Sequence, residues 1–328
     1  MNGEKKRLII IDSNSLIHRA YHALPPLTTK KGELVNAVYG FLLVFLKALK
    51  EFQPDYIAAC FDLPGPTFRH KKFKEYKAKR PPTPEELCQQ IPKVKEVLKS
   101  FDVPIFEKEG FEADDIIGTI SNLAPRKQAW PEVETVILSG DLDTLQLVNP
   151  CTKVYALRKG VKDTVLYDIE KVKEKFQGLI PEQILDFKSL RGDASDNIPG
   201  VTGVGEKTAI ELLLKFGSLE NIYKEIEEDK SEQAKNLKPK LKETLLKYKE
   251  QAFLSKTLAQ IDKNTPIDFN LEKCRWTPPT RQPKRMGKIV RIFKKYEFYS
   301  LIKRLLEPKK SALQKSEPKE IGKNLELW

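Results

Sequence analysis

Cysteine and histidine are scarce, with four and three among 328 residues. Cys60, Cys88, Cys151 and Cys274 are scattered without any C-x-x-C pair, so neither a zinc cluster nor a disulfide framework is indicated, and the four read as reduced and structural. His18 and His22 stand four residues apart and would share a helix face, where they could hold a metal, but the glutamate of H-E-x-x-H is missing between them. Long apolar runs are also missing, which excludes a transmembrane helix. Leu8 to Ile11 is too short for the core of a signal peptide and runs straight into Asp12. A cytoplasmic protein without a membrane partner is expected.

What is abundant is charge. There are 58 basic against 46 acidic residues, a net of +12, which favours a polyanionic partner. Within this basic chain the acids gather at particular places. Gly110 to Gly118 puts Glu112, Asp114 and Asp115 at the start of an apolar helix. The helix dipole favours each of them by only about 0.3–1 kcal/mol, too little to explain such crowding.

Similar acids stand wherever an apolar run ends: Asp12 after Leu8 to Ile11, Asp62 after Ile57 to Phe61, and Asp141 with Asp143 after Val136 to Leu138. Asp193 and Asp196 follow a helical stretch from Pro181 to Leu190. In an open parallel sheet the ligand crevice lies beyond the carboxyl ends of the strands, so the first four places would converge on one mouth. Nine carboxylates there would repel one another unless cations bind or some are protonated.

The expected order of elements is that of an α/β fold. Strands are predicted at Lys6 to Asp12, Tyr56 to Asp62, Val103 to Glu107 and Glu134 to Ser139, with a short pair at Val154 to Leu157 and Thr164 to Tyr167. Ser13 to Tyr21 and Val35 to Phe52 read as helices. Thr83-Pro84-Glu85-Glu86 predicts a long helix to Phe101, with Thr83 as N-cap and Pro84 at the first position. From Glu206 to about Leu258 the chain reads as a helical lobe.

Two segments suit phosphate. Phe68 to Arg80 mixes cations with Phe68, Phe73 and Tyr76, a combination that neutralises phosphates and stacks on unpaired bases. It leaves from Asp62 and is expected to hang over the acids. Gly203-Val204-Gly205 followed by Lys207 and Thr208 resembles a helix-hairpin-helix, whose backbone N–H groups hold a phosphate without reading its base.

In order along the chain stand Asp12 with His18-Arg19-Ala20-Tyr21-His22-Ala23, Phe61-Asp62 with Phe68-Arg69, and Tyr76-Lys77 with Arg80-Pro81-Pro82. Glu112-Ala113-Asp114-Asp115, Gly140-Asp141 with Asp143, Gly192-Asp193 with Ser195 to Gly200, and Gly203 to Ala209 follow. Together these resemble the 5' nuclease domain of bacterial DNA polymerase I, of the flap endonuclease superfamily, from about residue 7 to 265. Phe293 to Phe298 resembles the end of that domain.

The resemblance implies a Rossmann-like (PIN-like) twisted, mostly parallel sheet with a helical arch and a C-terminal helix-hairpin-helix lobe. It implies a nuclease core over 1–180 with the arch at about 64–82, a DNA-binding lobe over 181–265, a segment over 266–307 returning to the core, and a tail over 308–328. Asp12, Asp62, Glu112, Asp114, Asp115, Asp141, Asp143, Asp193 and Asp196 would hold two or more metal ions directly or through water. Carboxylates without cysteine suit Mg2+, or Mn2+ in its place. Tyr76, Lys77 and Arg80 would act on the scissile phosphate. Arg19, Arg69, Lys77, Arg80, Gly203, Gly205, Lys207 and Thr208 would hold DNA, and K+ would sit at the hairpin.

The implied activity is 5'-3' exonuclease and flap endonuclease cleavage of flapped duplex DNA and RNA-primed DNA in replication and repair, by a monomer. Many relatives have glycine where Ser13 stands and lysine where Leu142 stands. Neither change removes a carboxylate. The last residues, with Leu325, Leu327 and Trp328, resemble peptides that dock on the bacterial sliding clamp. Two alternatives are a noncatalytic branched-DNA binding module, against which the full acidic set stands, and a single-strand ribonuclease, against which the hairpin stands.

Overall fold

The computed structural model describes residues 5–124, 133–229 and 231–306. Its centre is a six-stranded sheet ordered β3-β2-β1-β4-β5-β6. The strands are β1 (Lys6–Asp12), β2 (Tyr56–Cys60), β3 (Ile105–Phe106), β4 (Val133–Ser139), β5 (Thr152–Leu157) and β6 (Thr164–Tyr167). All pair in parallel except β6, which turns back on β5. Leu8 to Ile11 are fully buried, as a strand covered on both faces demands.

Odd and even positions of β1 feed different cores. Ile9 and Ile11 pack with α1 (Ser13–Ala23), α2 (Asn36–Phe52) and α5 (Ile91–Ser100); Leu8 and Ile10 pack with α6 (Ala113–Leu123). Between α2 and α5 lie the short helices α3 (Phe68–Lys72) and α4 (Glu85–Cys88). The chain runs from β1 out to β3 with its helices on one face, then returns through α6 on the other face to β4. That reversal at the β1/β4 border is a topological switch point, where a crevice opens at the strand ends.

The long helix expected from Thr83 to Phe101 is instead two helices, α4 and α5. Pro84, not Thr83, is the N-cap of the first. Pro92 lacks the N–H that would continue the ladder, and Gln90 turns inward to accept from the Ala37 N–H at 2.8 Å.

Beyond β6, α7 (Ile169–Lys175) leads to α8 (Ile184–Arg191) and α9 (Glu206–Phe216). These are followed by α10 (Leu219–Glu228), α11 (Glu232–Lys235), α12 (Pro239–Lys247) and α13 (Lys249–Ala259). This helical group shares the core of the α6 face. The chain then crosses back, and α14 (Pro283–Lys295) and α15 (Tyr299–Leu306) pack on the α2/α5 face through Ile289, Phe293 and Leu301. The tail with Leu325, Leu327 and Trp328 lies outside the described residues.

Candidate active site

The crevice at the strand ends is a cleft of about 410 Å³ lined by Asp12, Asp62, Glu112, Asp114, Asp141 and Asp196, with Arg19, Lys77, Arg80, His18 and His22 around them. Each acid is set by its local backbone. Asp12 ends β1 and caps α1, accepting from the Ser15 N–H at 3.2 Å. Its other oxygen accepts from the Ser139 hydroxyl at 2.6 Å, which ties the end of β1 to the end of β4. Asp62 accepts from the Ala113 N–H at 2.7 Å, so the first turn of α6 is fastened to the end of β2. Asp141 opens the turn after β4 and accepts from the Asp143 N–H at 2.9 Å.

Crowding and burial act in the same direction on these groups. Burial, with Asp62 and Asp141 adding to it, pushes Asp12 up to about 6. Burial and then Asp141 push Asp143 up to about 7 although Lys188 pulls it down. Asp114 is driven well above the carboxylate range by burial and by Asp12, Asp141 and Asp143. Burial raises Asp62 as well.

Lys77, Arg80, Arg19 and Lys188 stand among the eight carboxylates of this region, and Arg69 comes within 3.7 Å of Glu112. Lys77 bonds Glu112 at 2.8 Å, and Arg80 bonds Asp196. Burial alone would lower Lys77, but Glu112 and Asp196 outweigh it and hold it charged. The Tyr76 hydroxyl donates to Glu112 at 3.1 Å and lies 3.3 Å from Asp196. Burial and those two acids push its pKa far upward, so it is a neutral donor. Arg19 donates to the Gly140 carbonyl at 2.9 Å.

The basic segment after β2 carries one short helix, α3, and then descends through turns onto the acids. The Lys77 N–H donates to the Asp196 carbonyl at 2.9 Å, and the Asn197 amide donates to the Glu75 carbonyl at 2.7 Å. Lys77 itself sits at φ +55°, in the left-handed region.

Two expected site residues lie elsewhere. Asp115 is fully buried and spends both oxygens on the Arg69 guanidinium, with the Asp262 and Glu112 N–H groups filling its remaining acceptor sites. Each of its oxygens thus accepts from two protein donors. Arg69 is equally occupied: beyond Asp115 it donates to the carbonyls of Leu258 and Gln260, and it is 2% exposed. That burial removes it from the surface that would meet DNA.

Asp143 and Asp193 are near the cleft but outside its lining, joined by Lys188, which bonds both. Burial would raise Asp193, but the Lys188 ammonium outweighs it and holds that carboxyl well below its usual range. Lys188, Ser139, Ser15 and Asn14 are parts of the site that the sequence reading missed. Only the position of Ser139 as the last residue of an apolar strand gave a signal.

The hairpin forms between α8 and α9. Gly200 and Gly192 approach so closely that a Cβ on Gly200 would lie 2.2 Å from the Gly192 nitrogen, and both have positive φ. Gly205 caps α9 without any side-chain bond to the helix N-terminus, and Gly203, Gly205 and Lys207 are exposed while Thr208 is half-buried. Its first N–H groups therefore face solvent, as phosphate contact requires.

Among the described residues no three histidine, cysteine, aspartate or glutamate side chains form a ready-made metal cage. The acids line the cleft instead of closing on one point. The donor chemistry nevertheless fits hard divalent ions: the ligands are all oxygen, and Asp12, Asp62 and Asp114 are raised with no cation bonded to them among the described residues.

Comparison with known proteins agrees with this architecture. Residues 7–177 match the family described as 5'-3' exonuclease, N-terminal resolvase-like domain, and residues 179–282 match 5'-3' exonuclease, C-terminal SAM fold. DNA polymerase I of Bacillus caldotenax is 43% identical over 93% of this chain and 33% of its own length. DNA polymerase I of Bacillus subtilis is 42% identical over 97% of this chain and 34% of its own length. The chain thus spans about a third of these relatives.

Two solved structures share the fold. The T5 5'-exonuclease with bound zinc has a TM-score of 0.63 at 20% identity, covering 90% of this chain and 98% of that one. The catalytic core of Rad2 in complex with a DNA substrate has a TM-score of 0.56 at 19% identity, covering 92% of each chain.

Proposed function

The chain belongs to the 5'-3' exonuclease family, and from that premise we propose that it is a metal-dependent, structure-specific 5' nuclease. Its substrates are DNA flaps and RNA primers paired to DNA, and its reaction is hydrolysis of a phosphodiester bond during replication and repair. The observation that carries this reading is the convergence of Asp12, Asp62, Glu112, Asp114, Asp141 and Asp196 on one cleft with Lys77 and Arg80 at its side.

Those acids are the residues to hold divalent ions, Mg2+ by their hard oxygen chemistry and Mn2+ in its place. Such ions, when bound, polarise a phosphoryl oxygen and make water a stronger nucleophile. The protein's own part is positional. Ser139 and the Ala113 N–H fix Asp12 and Asp62 at the ends of their strands. Lys77 and Arg80 exchange their carboxylate partners for the scissile phosphate and stabilise the charge that develops on it. Tyr76, kept protonated, orients Glu112.

Arg19, on the cleft wall, takes a neighbouring phosphate. Gly203, Gly205, Lys207 and Thr208 grip the duplex from the hairpin, with K+ at its carbonyls. A cytoplasmic monomer, tethered to a sliding clamp by Leu325, Leu327 and Trp328, completes the proposal. No helix among the described residues is long and apolar enough to cross a membrane.

The test is incubation of a 5'-labelled flap duplex and a single-stranded RNA with the protein, in Mg2+ and in chelator. A short labelled product from the flap that disappears in chelator is the expected result. Tight flap binding without cleavage in any metal, or cleavage of the RNA alone, contradicts it.

A further inference from the structure

Lys188 has no place in the reading above, yet it bonds two acids beside the cleft at once. It stands in the last turn of α8, where Gly192 ends the helix with its N–H on the Lys188 carbonyl at 2.8 Å. Its ammonium bonds Asp143 and lies 2.7 Å from Asp193. Its side chain is 12% exposed. Asp143 comes from the turn after β4 and Asp193 from the loop after α8, so one lysine joins the nuclease sheet to the helical group.

The two partners differ in what else they have. Asp193 also accepts from the Ser195 N–H at 2.9 Å and from its hydroxyl at 2.6 Å. For Asp143, Lys188 is the one cation bonded to it among the described residues. Asp12, Asp62 and Asp114, which line the cleft itself, have hydrogen bonds or repelling neighbours but no bonded cation among the described residues. The acidic region therefore has acids that line the cleft without counter-ions, here the inner acids, and a pair outside that lining, the outer pair, that already holds one.

We infer that Lys188 is an internal counter-ion for the outer pair, occupying Asp143 and Asp193 when no metal is bound and opposing the entry of a divalent cation there. The inference rests on the metal-dependent reading above. An ammonium within hydrogen-bond distance of both carboxylates takes up their facing lone pairs, and its charge repels a second cation at short range. Lysine suits this task because a flexible four-carbon stem lets a compact charge swing away, which a guanidinium locked in a fork does less easily. The outer pair then binds metal more weakly than the inner acids, and loads last.

The experiment is a calorimetric titration of Ca2+ into metal-stripped protein without DNA, comparing wild type with Lys188→Met and Lys188→Arg. Wild type is expected to show a tighter and a weaker class of sites. Lys188→Met should tighten the weaker class by about tenfold or more, since it removes a like charge that repels the incoming cation at short range. Lys188→Arg, which keeps the charge, should stay weak. If the methionine variant does not fold in chelator, Lys188→Gln keeps a donor for both acids and should shift in the same direction.

Unchanged or weaker Ca2+ binding in the neutral variants overturns the inference, because Lys188 would then be a prop for the acids and not a competitor. Ca2+ binding to none of the proteins overturns the metal-dependent reading itself, and this inference with it. Normal binding with no flap cleavage would count against the nuclease reading alone.

Discussion

Arg69 and Asp115 meet through two parallel hydrogen bonds of 2.7 Å, with side chains 3% and 0% exposed. This fork joins the start of the basic segment to the first turn of α6. Through the Leu258 and Gln260 carbonyls, Arg69 also holds the end of α13, so three elements around the cleft share one ion pair.

Breaking that pair leaves a buried charge without its partner, at a cost of about 3–5 kcal/mol. Asp115→Asn and Arg69→Met should each lower stability by that order in urea unfolding with chelator present. The double variant Arg69→Met/Asp115→Leu should lose less than the two single losses combined. Single variants as stable as wild type would mean the fork carries no structural weight.

Lys77→Ala and Arg80→Ala act on the reaction. Removing one preorganised donor from developing charge typically slows chemistry by about 10²–10³-fold. Single-turnover cleavage should fall by that order for each, while the flap Kd from fluorescence anisotropy changes little. A loss of binding as large as the loss of rate would place both residues in substrate capture instead.

Lys207→Ala should act on binding alone. One lost phosphate contact reduces the slope of log K against log salt by about 1 and weakens duplexes of every sequence alike. A sequence-dependent effect, or a changed single-turnover rate at saturating protein, would contradict a hairpin that holds backbone only.

The raised carboxylates set a pH dependence for the metal-free protein. Below about pH 4 the raised aspartates of the cleft are mostly protonated in both folded and unfolded chains. As pH rises, the unfolded chain ionises first, while the folded cleft keeps protons on Asp12 until about 6 and on Asp143 until about 7. The folded state binds more protons in this window, so stability falls from about pH 4 to 7. The paired Asp193, held low, works oppositely but only in more acid solution. Thermal melts in chelator should show a lower Tm at pH 7.5 than at pH 5, with Mg2+ restoring more at pH 7.5. A Tm that rises across this range in chelator would contradict the cleft electrostatics.

Much of this site is legible in the sequence because of how parallel sheets are built. A strand buried on both faces reads as an unbroken apolar run, and an acid ending it must face the crevice, which identifies Asp12, Asp62 and Asp141. Asp114 and Asp115 are not separable that way. Adjacent helix positions point about 100° apart, and the one facing the cleft depends on how α6 sits. That is decided by tertiary contact at Gly118, where a Cβ would meet Ile261 at 2.6 Å. Lys188 is one of 58 basic residues, and only the fold brings Asp143 to it. Arg69 sits in a run of cations that reads as a DNA-facing surface, yet its guanidinium turns inward because Asp115 offers a buried partner.

The neighbouring pair Asp114 and Asp115 offers the most direct measurement. Single-turnover cleavage of a 5'-labelled flap in Mg2+ should be compared for Asp114→Asn and Asp115→Asn, each with its unfolding curve in chelator. Asp114→Asn should all but abolish cleavage while leaving the metal-free protein as stable as wild type or more so, since it removes a charge repelled by Asp12, Asp141 and Asp143. Asp115→Asn should lose stability instead. Wild-type cleavage by Asp114→Asn would contradict an acidic cleft as the seat of the reaction.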